Sequence, residues 1–146
     1  MEDAKAWKKL LDYLRKEIPG GQLTEYAVAC KLQEFRKECP DYVGESFQPI
    51  VAWNANAASP HYAPAAQGSA VIGNDGFLLI DTGAQYRYGT TDTTRTIPLG
   101  KLTDVQREDY SRVLKGMVDL SMARFPKGTR GSQLDILARL QLFQVG

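Results

Sequence analysis

Histidine occurs once in the 146 residues, at His61. That scarcity excludes any site within the chain that needs several imidazoles, such as an HExxH zinc helix or a two-Cys, two-His finger. Cysteine is nearly as rare, with only Cys30 and Cys39. On a single helix these would be about 13 Å apart in rise, beyond the roughly 7 Å that a disulfide allows between Cα atoms. They read as free thiols of a reducing compartment and not as a metal pair. Neither sign of charge is in excess: 18 Lys and Arg stand against 17 Asp and Glu, a net charge of +1. A nucleic-acid or anionic-membrane binder needs a basic surface to displace counterions, so neither partner is expected. No apolar run approaches the roughly 18 residues of a membrane span, and the charged start over residues 1–9 does not read as a secretory signal. The expected location is cytoplasmic.

What is present is ordinary for a globular chain, with 43% hydrophobic and 24% charged residues. The length suits one domain of roughly 150 residues that buries about two-thirds of its unfolded surface. Ala4, Trp7, Leu11, Leu14 and Ile18 recur at three- and four-residue steps and predict an amphipathic helix stopped by Pro19-Gly20-Gly21. Thr24 is the expected N-cap of a second helix with Val28, Leu32 and Phe35 on its apolar side. Both helices read as packing elements. The middle third changes character, with a short apolar stretch from Phe47 to Trp53 and a loop over 54–68 containing His61. The run Phe77-Leu78-Leu79-Ile80 predicts a strand covered on both faces. A second β-rich run, Arg87 to Ile97, holds Asp92 at its centre. Thr103 and Gln106 form a capping-box signature for a third helix, and Ser132 opens a fourth. Helix, helix, strands, helix, helix predicts an α+β fold with helices packed on one face of a mostly antiparallel sheet.

Two aspartates stand out. Asp81 follows four apolar residues directly, and Asp92 sits among threonines in Thr90-Thr91-Asp92-Thr93-Thr94-Arg95-Thr96. A buried carboxylate needs hydrogen bonds, a cation or a metal. If the two runs pair through a turn near Tyr86 to Tyr88, residues whose numbers total about 173 lie opposite each other, and Asp81 and Asp92 are such a pair. Two adjacent carboxylates repel unless a cation lies between them. A divalent metal held by both is one reading. The other is a turn-capping Asp81 and an Asp92 paired with Arg95 or with neighbouring hydroxyls.

Leu79-Ile80-Asp81-Thr82-Gly83-Ala84-Gln85-Tyr86, followed by Tyr88-Gly89-Thr90-Thr91-Asp92-Thr93-Thr94-Arg95-Thr96, resembles the metal-binding hairpin of the Xaa-Pro aminopeptidases (aminopeptidase P). These are pita-bread metallopeptidases. The resemblance extends upstream to Pro60-His61-Tyr62-Ala63-Pro64. Downstream it takes in Val113-Leu114-Lys115-Gly116 and Phe125-Pro126-Lys127-Gly128-Thr129. It implies that residues 1–146 form the N-terminal half of a pita-bread catalytic domain. The family holds two divalent cations, usually manganese, through two aspartates, one histidine and two glutamates; the aspartates correspond to Asp81 and Asp92. His61 corresponds to a loop histidine that contacts substrate and helps stabilise the tetrahedral intermediate. The implied reaction cleaves the bond between an N-terminal residue and a following proline, with metal-generated hydroxide as nucleophile. The family's later His-Gly-Thr-Gly-His-Gly stretch and its two glutamates are not in these 146 residues, so the chain by itself is expected to be inactive. An open sheet edge and uncovered apolar helix faces are expected to make it self-associate or form a homo-oligomer.

Two rival readings share these residues. Asp81-Thr82-Gly83 also resembles the Asp-Thr-Gly signature of aspartic proteases, which are nearly all β in their short dimeric form. A non-catalytic pita-bread module that binds peptides or proteins is the second, and would be expected to have lost Asp81, Asp92 and His61.

Overall fold

The computed structural model describes residues 2–145. The chain divides into two compact units, Met1–Lys101 and Leu102–Gly146. The first unit contains helices α1 (Glu2–Glu17) and α2 (Glu25–Lys37), then strands β1 (Tyr42–Glu45), β2 (Ile50–Trp53), β3 (Phe77–Thr82), β4 (Ala84–Tyr86), β5 (Gly89–Thr90) and β6 (Thr93–Pro98). The strands form two three-stranded sheets, ordered β2-β3-β6 and β1-β4-β5, and every pairing is antiparallel. The expected single sheet is therefore two, joined by one hairpin that runs through both.

The core lies between the helices and one face of the β2-β3-β6 sheet. Trp7, Leu10 and Leu14 of α1 and Val28 and Leu32 of α2 pack with Val51, Leu78 and Ile80. Alternation along β3 sends Leu78, Ile80 and Thr82 to this side, all fully buried, and leaves Leu79 and Asp81 half-buried on the other. The side chain of Thr24 caps α2 by accepting from Ala27 N at 3.1 Å, as the sequence predicts. The buried stripe of α1 is rotated from the expected one: Asp3, Ala6 and Leu10 join Trp7 and Leu14, whereas Ala4 is exposed and Leu11 half-buried. Asp3 lies on this buried stripe, where its Oδ1 accepts a 2.8 Å hydrogen bond from Arg36 Nε.

Arg36 is fully buried near the C-terminus of α2. Its Nη1 donates to Glu45 Oε2 at 2.5 Å, to Thr82 Oγ1 at 2.7 Å and to the Gly83 carbonyl at 3.2 Å. Tyr42 donates to Glu45 and Tyr86 to Asp3. One guanidinium thus ties α1, α2, β1 and the end of β3 together. The sequence predicts α2 as a packing element, and this polar cluster departs from that expectation.

In the second unit, α3 (Asp104–Met122) begins with the expected capping box between Thr103 and Gln106 and pairs with α4 (Gly131–Phe143). The two helices meet at Gly116, where an added Cβ would lie 2.0 Å from the Ala138 carbonyl oxygen, so only glycine fits. Val113, Met117, Phe125, Ile136 and Phe143 are exposed apolar residues of this unit. Among the described residues, no helix is long and apolar enough to cross a membrane.

Removing the Arg36 guanidinium leaves the buried Asp3 and the half-buried Glu45 without their cation. R36A is expected to destabilise the first unit by about 3–5 kcal/mol, the cost of breaking a buried ion pair. A urea midpoint within error of the parent chain would show that the cluster carries no such weight.

Candidate metal centre

The hairpin that carries both aspartates keeps one register along its whole length. Phe77 pairs with Pro98, Asp81 with Thr94, Thr82 with Thr93, Gln85 with Thr90 and Tyr86 with Gly89, so the turn is the two residues Arg87 and Tyr88. Asp81 therefore stands opposite Thr94 and not opposite Asp92, two positions from the expected pairing. The turn sits later than the sequence suggests, and a two-residue change in register keeps every side chain on its face. Extending the register by one pair beyond Thr82 and Thr93 places Asp92 across from Gly83. In such a ladder Asp81 and Asp92 are diagonal neighbours on one face, about 7–8 Å apart at Cα, within reach of a shared ion.

Asp92 also differs from expectation in not being mid-strand. It lies in the gap between β5 and β6, where the hairpin passes from one sheet to the other. The gap has a local cause. A Cβ on Gly83 would lie 2.0 Å from the Thr91 carbonyl oxygen and 2.3 Å from Ser46 Oγ. Ser46 N donates to the Gly83 carbonyl, Ser46 Oγ donates to the Thr91 carbonyl, and Ala84 N turns to the Thr91 hydroxyl. Ser46 Oγ thus takes the Thr91 carbonyl that Ala84 N would otherwise use, while Thr91 N still donates to the Ala84 carbonyl at 2.8 Å, and from below Arg36 holds Thr82 and Gly83. The bend leaves Asp81 and Asp92 on either side of it.

Asp81 Oδ1 accepts from Thr94 Oγ1 at 2.7 Å. Its other oxygen receives no hydrogen bond among the described residues. Asp92 is exposed. Arg95 does not brace it, contrary to expectation: its Nη1 donates to the Thr94 carbonyl at 2.7 Å. The alternation explains this, since Arg95 pairs with Ile80 and faces the helices, away from the aspartates. Two hard carboxylates fit a cation such as manganese or magnesium by donor chemistry. They are part of a donor set only: among the described residues, His, Cys, Asp and Glu nowhere gather in threes suited to a metal.

His61 is exposed, in the segment that follows β2 and a short 3-10 turn over Asn54–Ala58. Its neighbour Tyr62 is anchored. Tyr62 OH donates at 2.6 Å to Glu25 Oε2, while Glu25 Oε1 accepts from Trp53 N at 2.6 Å and from Asn56 Nδ2 at 3.0 Å. Glu25 is fully buried in the first turn of α2. Sequence reasoning missed it, although it lies on the same line of the helix as Val28 and Leu32, where a charge is out of place.

A model of metallopeptidase family M24 matches residues 2–144. The chain belongs to that family. This M24 chain is 42% identical over 150 residues to "Xaa-Pro aminopeptidase 1" of Dictyostelium discoideum, covering 100% of the chain and 24% of that protein. It is 40% identical over 146 residues to "Xaa-Pro aminopeptidase 2" of Sus scrofa, covering 100% of the chain and 22% of that protein. Its fold superposes on the X-prolyl aminopeptidase of Caenorhabditis elegans, described as a cytosolic enzyme with a di-nuclear active site. The TM-score is 0.91 at 37% identity, over 99% of this chain and 24% of that one. The M24 chain therefore spans about a quarter of the length of these relatives, and its architecture is a partial pita-bread α+β fold. The aspartic-protease likeness of Asp81-Thr82-Gly83 falls with this result: Asp81 and Thr82 are strand residues of an M24 hairpin, in a chain with four α-helices among its described residues.

The hydrogen bond to Glu25, followed by burial, pushes the Tyr62 phenol up to about 12, and burial followed by the bond to Glu45 does the same for Tyr42. Burial, then Asp3, raises Tyr86 as well. A raised folded value means that the stabilisation is complete below the unfolded phenol value near 10 and is lost as pH rises through about 12. Absorbance at 295 nm should show these phenols titrating late in the folded chain and near pH 10 in denaturant. Coincident titration of the folded and unfolded chains would contradict the hydrogen-bond assignments.

Proposed function

We propose that residues 1–146 are the N-terminal half of the catalytic domain of a dinuclear-metal aminopeptidase, one that removes the N-terminal residue from peptides with proline in second position. What supports this reading is the single-register hairpin that carries both Asp81 and Asp92, whose register, extended one pair past Thr82 and Thr93, would put the two on one face. The family match and the names of the relatives support it.

Asp81 and Asp92 are the residues of this chain that would hold the cations, manganese being the favoured metal. When bound, such ions polarise a peptide carbonyl and lower the pKa of water toward neutrality. Thr94 fixes the Asp81 carboxylate by donating to one oxygen and leaves the other for a ligand. His61 faces the substrate, where an imidazole donor can stabilise charge developing on the carbonyl oxygen. Fixed placement matters for such a group, and the Tyr62 anchor supplies it. The substrate is a proline-containing peptide, and nucleic acid and membrane are not partners. The cytosolic description of the nematode relative and the two free thiols support a cytoplasmic location. The exposed apolar residues of α3 and α4 and the edge strands β2 and β6 favour self-association of the chain in isolation.

Two carboxylates are too few for tight transition-metal binding. The isolated chain should bind manganese more weakly than micromolar and turn over no Xaa-Pro peptide; submicromolar affinity or measurable turnover would refute this. In the complete enzyme, D81N and D92N should each reduce activity by more than about 100-fold and lower the metal content, since loss of outer-shell partners alone costs 10–100-fold. Full activity in either variant would exclude that aspartate as a ligand.

A further inference from the structure

Glu25 is a fully buried acid with no ion-pair partner among the described residues. An isolated carboxylate in such a place is strongly unfavourable unless hydrogen bonds and dipoles replace water. Here they do. Glu25 lies in the first turn of α2, where the unpaired N–H groups favour negative charge. Its two oxygens accept from Trp53 N, from Asn56 Nδ2 and from Tyr62 OH. A carboxylate is the side chain that offers enough acceptor sites, and no donor of its own, to satisfy all three.

Those donors come from two places. Trp53 N is the last backbone donor of β2, while Asn56 and Tyr62 belong to the excursion that carries His61. Asn56 Nδ2 also reaches Tyr62 OH at 3.2 Å, closing a triangle among the three side chains. The far end of the excursion returns to the same point: Glu25 N donates to the Ala70 carbonyl, Tyr26 N to Ser69 Oγ, and Ile72 N to the Leu23 carbonyl. The start of α2 therefore grips both ends of the segment, and His61 is exposed next to its firmest contact. A consecutive Cα lies only about 3.8 Å away, so fixing Tyr62 fixes the backbone of His61.

We propose that Glu25, acting through Tyr62 and Asn56, is a positioning residue that sets the place of His61 against the substrate. The proposal rests on the reading of His61 as substrate-facing, and the test separates the two. Steady-state kinetics of the complete enzyme on a Xaa-Pro peptide would be measured for E25Q, Y62F, H61A and the double variant H61A/Y62F, together with manganese content. Y62F removes a single oxygen and keeps the ring, so it carries the test even if E25Q fails to fold.

The expected result is a fall in kcat on the order of 10- to 100-fold in Y62F, the scale of a roughly 1 Å misplacement. KM and manganese content should stay within about twofold of the parent, and Y62F should cause no further loss once His61 is alanine. A staple of merely structural kind would give losses that multiply in the double variant, and that outcome overturns the proposal, as does unchanged kcat in Y62F. Full activity of H61A would overturn the role of His61 and this inference with it. An impaired H61A with multiplicative losses overturns the inference alone.

Discussion

Helix α2 carries two fully buried charges, Glu25 in its first turn and Arg36 in its last, and both segments of the candidate site are hung from them. At about 1.5 Å per residue they lie roughly 16 Å apart along the helix. Each charge matches the sign that its end of the helix favours. Glu25 grips the excursion that bears His61, and Arg36 grips Thr82 and Gly83, where the hairpin bends between Asp81 and Asp92. A helix packed on the core by Val28 and Leu32 thus holds two segments, far apart in sequence, that carry the candidate site residues. Loops carrying chemistry on a stiff scaffold follow the same logic.

The bend itself is a product of competition for backbone hydrogen bonds. A regular ladder would run uninterrupted from Phe77 to the turn at Arg87 and Tyr88. The end of β1 enters instead, and Ser46 takes up carbonyls on both strands. Gly83 admits it because any side chain there would collide with Thr91. No residue is inserted, so the register survives and the faces are kept. The Arg36 cluster beneath is not simply a source of stability. Its Nη2 has no acceptor among the described residues, and a buried ion pair often contributes less than a well-packed apolar substitute. Its definite consequence is geometric, since it joins four elements at the point where the sheets part.

Much of this was legible in the residues. The caps at Thr24 and Thr103, the hairpin and the strand that carries Asp81 follow from local pattern, and the peptidase likeness from the resemblance of the motifs around Asp81 and Asp92. The register predicted from the sequence differs by two positions, because the turn at Arg87-Tyr88 lacks the Asn-Gly or Asp-Gly dipeptide that marks a two-residue hairpin turn. The break at Asp92 could not be read, since its cause is Ser46, distant in sequence. Proximity along the chain suggests Arg95 as a partner of Asp92, whereas strand alternation sends it to the opposite face. Asp3, Glu25 and Arg36 do not figure in the reading of the sequence, yet all three are buried. Each lies on the apolar line of its own helix, Asp3 with Trp7 and Leu10, Glu25 and Arg36 with Val28 and Leu32. That coincidence of charge with a core position was the available signal.

The cation site proposed at the bend of the hairpin is made by Asp81 and Asp92. Paramagnetic broadening of backbone amide resonances by substoichiometric Mn2+ tests it on the 146-residue chain even where binding is weak. Broadening should centre on Asp81, Gly83, Asp92 and Thr94 and disappear in D81N. Broadening that instead follows exposed acids such as Glu2 and Asp12, and survives D81N, would contradict it.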